Sequence, residues 1–117
     1  MTPGQFATLI AYTESDDNPH AWGDDDRALG LYQAHPDWAI TYAKRYNIWP
    51  LVGEKWNDWI GNLVCRFFVE YSQTFTDTEV AMHYHLGHES LASNVDWDAV
   101  YAARFNYEAS KLSIAAT

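Results

Sequence analysis

The chain has 117 residues, 48% hydrophobic and 16% aromatic, with six Trp, eight Tyr and five Phe, so one domain with a substantial core is expected and intrinsic disorder is excluded. Seven Lys and Arg against sixteen Asp and Glu give a formal net charge of −9, a field that argues against nucleic acid or an anionic membrane surface as partner. The lone cysteine, Cys65, excludes an internal disulfide, and no apolar run reaches the ~18 residues a membrane span requires.

Thr2-Pro3-Gly4-Gln5 fits a capping box with Pro at the first helical position, which predicts a helix starting there. Phe6, Leu9, Ile10 and Thr13 follow at i, i+3, i+4 and i+7 and form its apolar face, with Glu14 as its last or next-to-last residue. Residues 16 to 35 are dense in Asp, Asn, Pro and Gly and predict a loop with at most short strands. A second helix is expected from Pro36 or Asp37, carrying Trp38, Tyr42 and Tyr46 and ended by Asn47 and Pro50. The longest helix is expected from about Glu54 to Tyr71. There Trp56, Trp59, Ile60, Leu63, Val64, Phe67, Phe68 and Tyr71 keep a three-then-four rhythm, which reads as a central buried helix with Cys65 as a small apolar filler. Thr76-Asp77-Thr78-Glu79 is a second capping box opening a helix with Val80, His83 and Tyr84 that stops near Gly87. Asp96 or Asp98 is expected to cap a final helix on which Trp97, Val100, Tyr101, Arg104 and Phe105 share a face. The fold class is therefore mainly α, about five helices around a central buried one, as a single domain over residues 1–117 and with a monomer expected.

One stretch departs from this scaffold pattern. Glu14-Ser15, Asn18-Pro19, Ala28, Gly30-Leu31-Tyr32-Gln33 and Pro36 stand in the order, and Glu14 and Gln33 at close to the separation, of the core of the lysozyme-like lytic transglycosylases and goose-type lysozymes, which the chain resembles from Leu9 to about Phe105. The resemblance implies a lysozyme-like fold, a loop or small hairpin beside a cleft, and cleavage of the β-1,4 bond between N-acetylmuramic acid and N-acetylglucosamine in bacterial peptidoglycan. It implies Glu14 as the catalytic acid and Ser15, Gln33, Tyr84, His85 and Tyr101 as substrate-binding or acid-holding residues. Tyr107 is the lesser alternative to Tyr101. The family usually shows Tyr-Asn-x-Gly where this chain has Tyr84-His85-Leu86-Gly87, so an imidazole stands in place of an amide. The N-terminal residues MTPGQFATLIAYTES lack a basic region and a long apolar one, so no export signal is expected. Reaching the cell wall, periplasmic or extracellular, then takes lysis, carriage in a virion, or release from a longer exported polypeptide.

Glycosidic cleavage needs a proton delivered to the leaving oxygen, and one carboxylic acid suffices if apolar surroundings keep it protonated. If the muramyl 6-hydroxyl then attacks, with Glu14 as base, the product is a 1,6-anhydro sugar. If water attacks with inversion, a second carboxylate about 6.5–9.5 Å away is needed, for which Asp24, Asp25 and Asp26 are the candidates. No cofactor is implied. His83, His85 and His88 form H-x-H-x-x-H, but His83 and His85 point about 200° apart on a helix, so no metal site is expected. The Asp-rich loop lacks the residue order of a calcium-binding EF-hand. A non-enzymatic glycan-binding or structural virion module is the rival of a different class.

Overall fold

Two threonines start helices in the manner their neighbours dictate. Thr2 Oγ1 accepts from the Gln5 amide at 3.1 Å while Gln5 Oε1 accepts from the Thr2 amide at 2.8 Å, and Thr76 and Glu79 repeat the exchange. The computed structural model describes residues 1–87 and 95–117. In chain order it shows helix α1 (Pro3–Ser15), a two-stranded antiparallel hairpin of β1 (Trp22–Gly23) and β2 (Ala28–Leu29), and helices α2 (Pro36–Tyr46), α3 (Trp56–Tyr71), α4 (Asp77–Leu86) and α5 (Val95–Lys111). The protein is mainly α, with the hairpin where the turn formers cluster.

Two helix starts differ from expectation. Helix α3 begins at Trp56 rather than Glu54, because Glu54 closes a turn on Leu51: its amide donates to the Leu51 carbonyl at 2.9 Å and its carboxylate accepts from the Leu51 amide at 3.2 Å. That local closure competes with the helix and displaces its first turn. Helix α5 begins at Val95, ahead of Asp96 and Asp98. Those two side chains, Trp97 and His88 fall outside what is described.

One core draws on all five helices. Phe6 of α1 stacks on Phe68 of α3 at 4.7 Å between centroids and lies 5.9 Å from Phe105 of α5. Trp38 of α2 meets Tyr84 of α4 edge-on at 5.2 Å. Burying side chains of this size contributes roughly 1.5–3 kcal/mol each. Helix α3 is a wall rather than a wholly buried centre: Trp59, Ile60, Leu63, Val64, Phe67 and Phe68 face inward while Asp58, Asn62, Arg66 and Val69 are exposed. Helix α1 packs between α3 and α5, and α5 also packs on α4, so the end of α1 is held from both sides. Cys65 is half-buried, its thiol directed to the Pro3 carbonyl at 3.6 Å and its pKa raised by burial. On α5 the buried stripe is Tyr101, Phe105, Glu108 and Ala109. Val100, expected on that face, is 56% exposed, because the buried stripe spreads from Tyr101 toward Phe105 and Ala109, away from Val100, which lines the Glu14 cavity instead. Among the described residues no helix is long and apolar enough to cross a membrane.

Candidate active site

Helix α1 ends one residue after Glu14. Asp16 and Asp17 take left-handed conformations (φ 53° and 62°), and their amides close back on the Tyr12 and Ala11 carbonyls, a helix stop that Asp tolerates better than most residues. The chain therefore turns away, leaving the Glu14 side chain directed into the angle between α4 and α5. The Glu14 side chain is only 9% exposed, with Oε2 3.6 Å from His85 Nδ1. The His85 ring in turn stacks on Tyr101, 4.1 Å between centroids and 16° from parallel. Thr13, Glu14, His85, Val100, Tyr101 and Arg104 line a cavity of about 260 Å³.

Two buried polar groups in this cavity are under-satisfied. Glu14 Oε2 and the Tyr101 hydroxyl make no hydrogen bond of ordinary geometry to any described residue, and the hydroxyl interacts with the Glu14 carboxylate instead. Buried groups are normally satisfied, and an exception calls for a functional explanation. Burial, then the neighbouring Glu14 charge and the hydroxyl's hydrogen-bonding interaction with that carboxylate, raise the pKa of Tyr101 well above the ordinary tyrosine value, so Tyr101 keeps its proton and stays a donor. Tyr84 lies behind the acid. Burial, then the Glu14 and Tyr32 charges, raise its pKa, and its hydroxyl donates to the Tyr32 carbonyl at 2.5 Å.

No family model, no curated protein and no solved structure matches the chain.

Of the six candidate residues, Glu14, His85 and Tyr101 meet at one cavity, and Tyr84 supports it from the core. Ser15 and Gln33 hold the frame. Ser15 Oγ lies 2.7 Å from the Leu31 carbonyl and accepts from the Asn18 amide at 3.1 Å, tying the end of α1 to the Gly30–Gln33 turn. Gln33, buried and left-handed (φ 49°), donates from Nε2 to the Gly30 carbonyl at 3.0 Å. Tyr107 is 58% exposed, with Lys111 over its ring; Tyr101 is the tyrosine at the acid. Asp24, Asp25 and Asp26 form the hairpin turn, all with positive φ. Asp24 pairs with His35 at 2.9 Å, and none of the three lines the Glu14 cavity. His83 points elsewhere, against Tyr71 and Phe75. Among the described residues no group of three His, Cys, Asp or Glu is gathered to hold a metal ion.

Two residues were missed from sequence. Arg104 donates from Nε to Glu108 at 3.0 Å, and through Nη2 to Asp16 and to the Tyr12 carbonyl, clamping α5 onto the end of α1 beside the acid. Its i,i+4 pairing with Glu108 was readable; the reach to Asp16, 88 positions away, was not. Asn57 accepts from the Leu31 amide at 2.9 Å and donates to the Pro19 carbonyl at 3.0 Å, bracketing the loop from α3. An Asn on an aromatic-rich helix carries no sequence signal for that task.

Proposed function

We propose that the chain is a peptidoglycan-cleaving muramidase of lysozyme-like fold, cutting the β-1,4 bond between N-acetylmuramic acid and N-acetylglucosamine with Glu14 as general acid and then base. The observation that carries this reading is the Glu14 carboxylate, buried at a helix end in a cavity with the Tyr101 hydroxyl beside it, the two interacting with each other and neither making an ordinary hydrogen bond to another described residue there. In this role Glu14 gives its proton to the glycosidic oxygen as the bond to the anomeric carbon breaks. Tyr101 donates to the carboxylate that remains, holding it toward the sugar, and His85, stacked on Tyr101, lies beside it. The Glu14 carboxylate next takes the proton of the attacking hydroxyl.

The sugar's own 6-hydroxyl is the attacker favoured here, giving a 1,6-anhydro product. The engagement of Asp24 with His35 and the absence of all three hairpin aspartates from the Glu14 cavity support a single-carboxylate route. Such a protein would act on the wall outside the cytoplasmic membrane. The test is digestion of purified cell wall by wild type and Glu14→Gln, followed by turbidity and by mass spectrometry of released fragments. Anhydro-ended fragments from wild type and none from Glu14→Gln are expected. Reducing ends would replace the transglycosylase by a hydrolase, and an intact wall with both proteins would leave a glycan-binding or structural module.

A further inference from the structure

A second concavity, of about 300 Å³, lies against the hairpin and is lined by residues including Pro19, His20, Trp22, Leu29, Trp56 and Asn57. It shares no lining residue with the Glu14 cavity. It also opens on the other side of the hairpin from Gln33. A side chain on Gly23 would run into the Gln33 carboxamide, so Gly23 and its partner Ala28 face Gln33, while Trp22 and Leu29, paired one step along the strands, face away.

This groove is built rather than incidental. Trp56 Nε1 donates to the Leu29 carbonyl at 3.2 Å, the Asn57 amide is engaged at both ends by Pro19 and Leu31, and the Gly30 amide donates to the Ala21 carbonyl at 2.9 Å. These bonds fix both walls and occupy the Trp56 indole N–H, the Asn57 carboxamide and the Gly30 amide. Indole surface and the exposed His20 ring remain on offer. Trp22 is 67% exposed, a large apolar surface left open on a two-residue strand. No residue lining the groove is acidic, Lys or Arg, although the chain carries −9 and three aspartates sit in the same hairpin. An anionic ligand meets that field unfavourably, and a cationic one finds no carboxylate in the groove to pair with. A ring with an apolar C–H face and uncharged polar edges fits: the face stacks on indole and the edges stay in water.

We infer that the Trp22–Trp56 groove is a second glycan-binding site, taking an uncharged pyranose ring of a β-1,4-linked N-acetylhexosamine chain at a place separate from the point of cleavage. The choice of polymer rests on the muramidase reading; the stacking chemistry does not. The test is a titration of ¹⁵N-labelled Glu14→Gln protein, which cannot turn the ligand over, with N-acetylchitotetraose, following the six tryptophan indole N–H signals. The Trp22 and Trp56 signals are expected to shift saturably. In the same background, Trp22→Ala should weaken the affinity read at Trp56 tenfold or more, and Trp22→Tyr should retain most of it. Shifts confined to the surroundings of Glu14, no shifts at all, or equal affinity in Trp22→Ala overturn the inference. So does a response to a lysine-rich peptide in place of the sugar. Wall cleavage with unmoved indoles defeats the groove alone, and moving indoles without wall cleavage by wild type defeat the catalytic reading alone.

Discussion

Tyr101 is the residue at which stability and activity are expected to part. Its buried hydroxyl interacts with the Glu14 carboxylate and makes no ordinary hydrogen bond to any other described residue, so the relief of a desolvated hydroxyl in Tyr101→Phe is offset by the donor the carboxylate loses, and stability should change by no more than about 1 kcal/mol. Wall-cleaving activity should fall roughly 10- to 100-fold, within the range that single positioned donors and proton-transfer groups supply. Thermal denaturation beside turbidity assays checks both halves, and a fall in melting temperature parallel to the loss of activity would show a merely structural tyrosine. Gly30 is the opposite case. It sits at φ +74° with the Asn57 side chain where a Cβ would go, so Gly30→Ala meets both backbone strain and a clash. It should cost about 1–3 kcal/mol in denaturant titrations, while Gly53, also at positive φ but in open space, should tolerate Ala better.

At the scale of elements, the docking of α5 onto the end of α1 governs the acid's surroundings. Glu108 is 2% exposed, with Arg104 at 3.0 Å and Lys111 at 3.6 Å. Arg104→Ala deprives this buried carboxylate of its nearer partner and removes the link to Asp16. The variant should lose roughly 1–3 kcal/mol and, because Tyr101 rides on the same helix, lose activity too. Arg104→Lys, which keeps the charge but cannot reach Glu108 and Asp16 together through a planar fork, should recover stability better than activity. What was legible beforehand follows range. Both capping boxes and the α3 stripe are decided within a few residues and are found as read. Helix α3 starts later than its sequence pattern implies because Glu54 satisfies Leu51 instead, and Val100 lies off the buried face because helical periodicity fixes a stripe only to within about one position. Ser15 and Gln33 stood out as motif residues, yet the order of a motif does not say whether a polar side chain faces ligand or backbone. Their partners, the Leu31 and Gly30 carbonyls, emerge only from the fold.

Across the whole molecule, the excess of acidic groups sets the response to pH and salt. Glu70 is partly desolvated, which pushes its pKa up, but hydrogen bonds from Arg45 and Tyr46 and the charges of Arg45 and Arg66 outweigh this and hold it below the ordinary 4.5. A depressed folded-state pKa contributes stability that is fully present above the unfolded value and is lost as pH falls through the folded one. The difference in melting temperature between wild type and Glu70→Gln should therefore be constant near neutrality and shrink below about pH 4.5. Between those limits, partial neutralisation of the −9 charge works the other way, so added salt at neutral pH should raise the melting temperature at low ionic strength. The Gly30–Gln33 turn has a consequence for engineering. Its successive carbonyls at Leu31 and Tyr32 are gripped by Ser15 from α1 and Tyr84 from α4, whereas the Asp24–Asp26 tip lies outside the acid's cavity. A peptide tag spliced between Asp25 and Asp26 should leave catalysis intact, while the same tag between Leu31 and Tyr32 should unseat both helices from the loop they share.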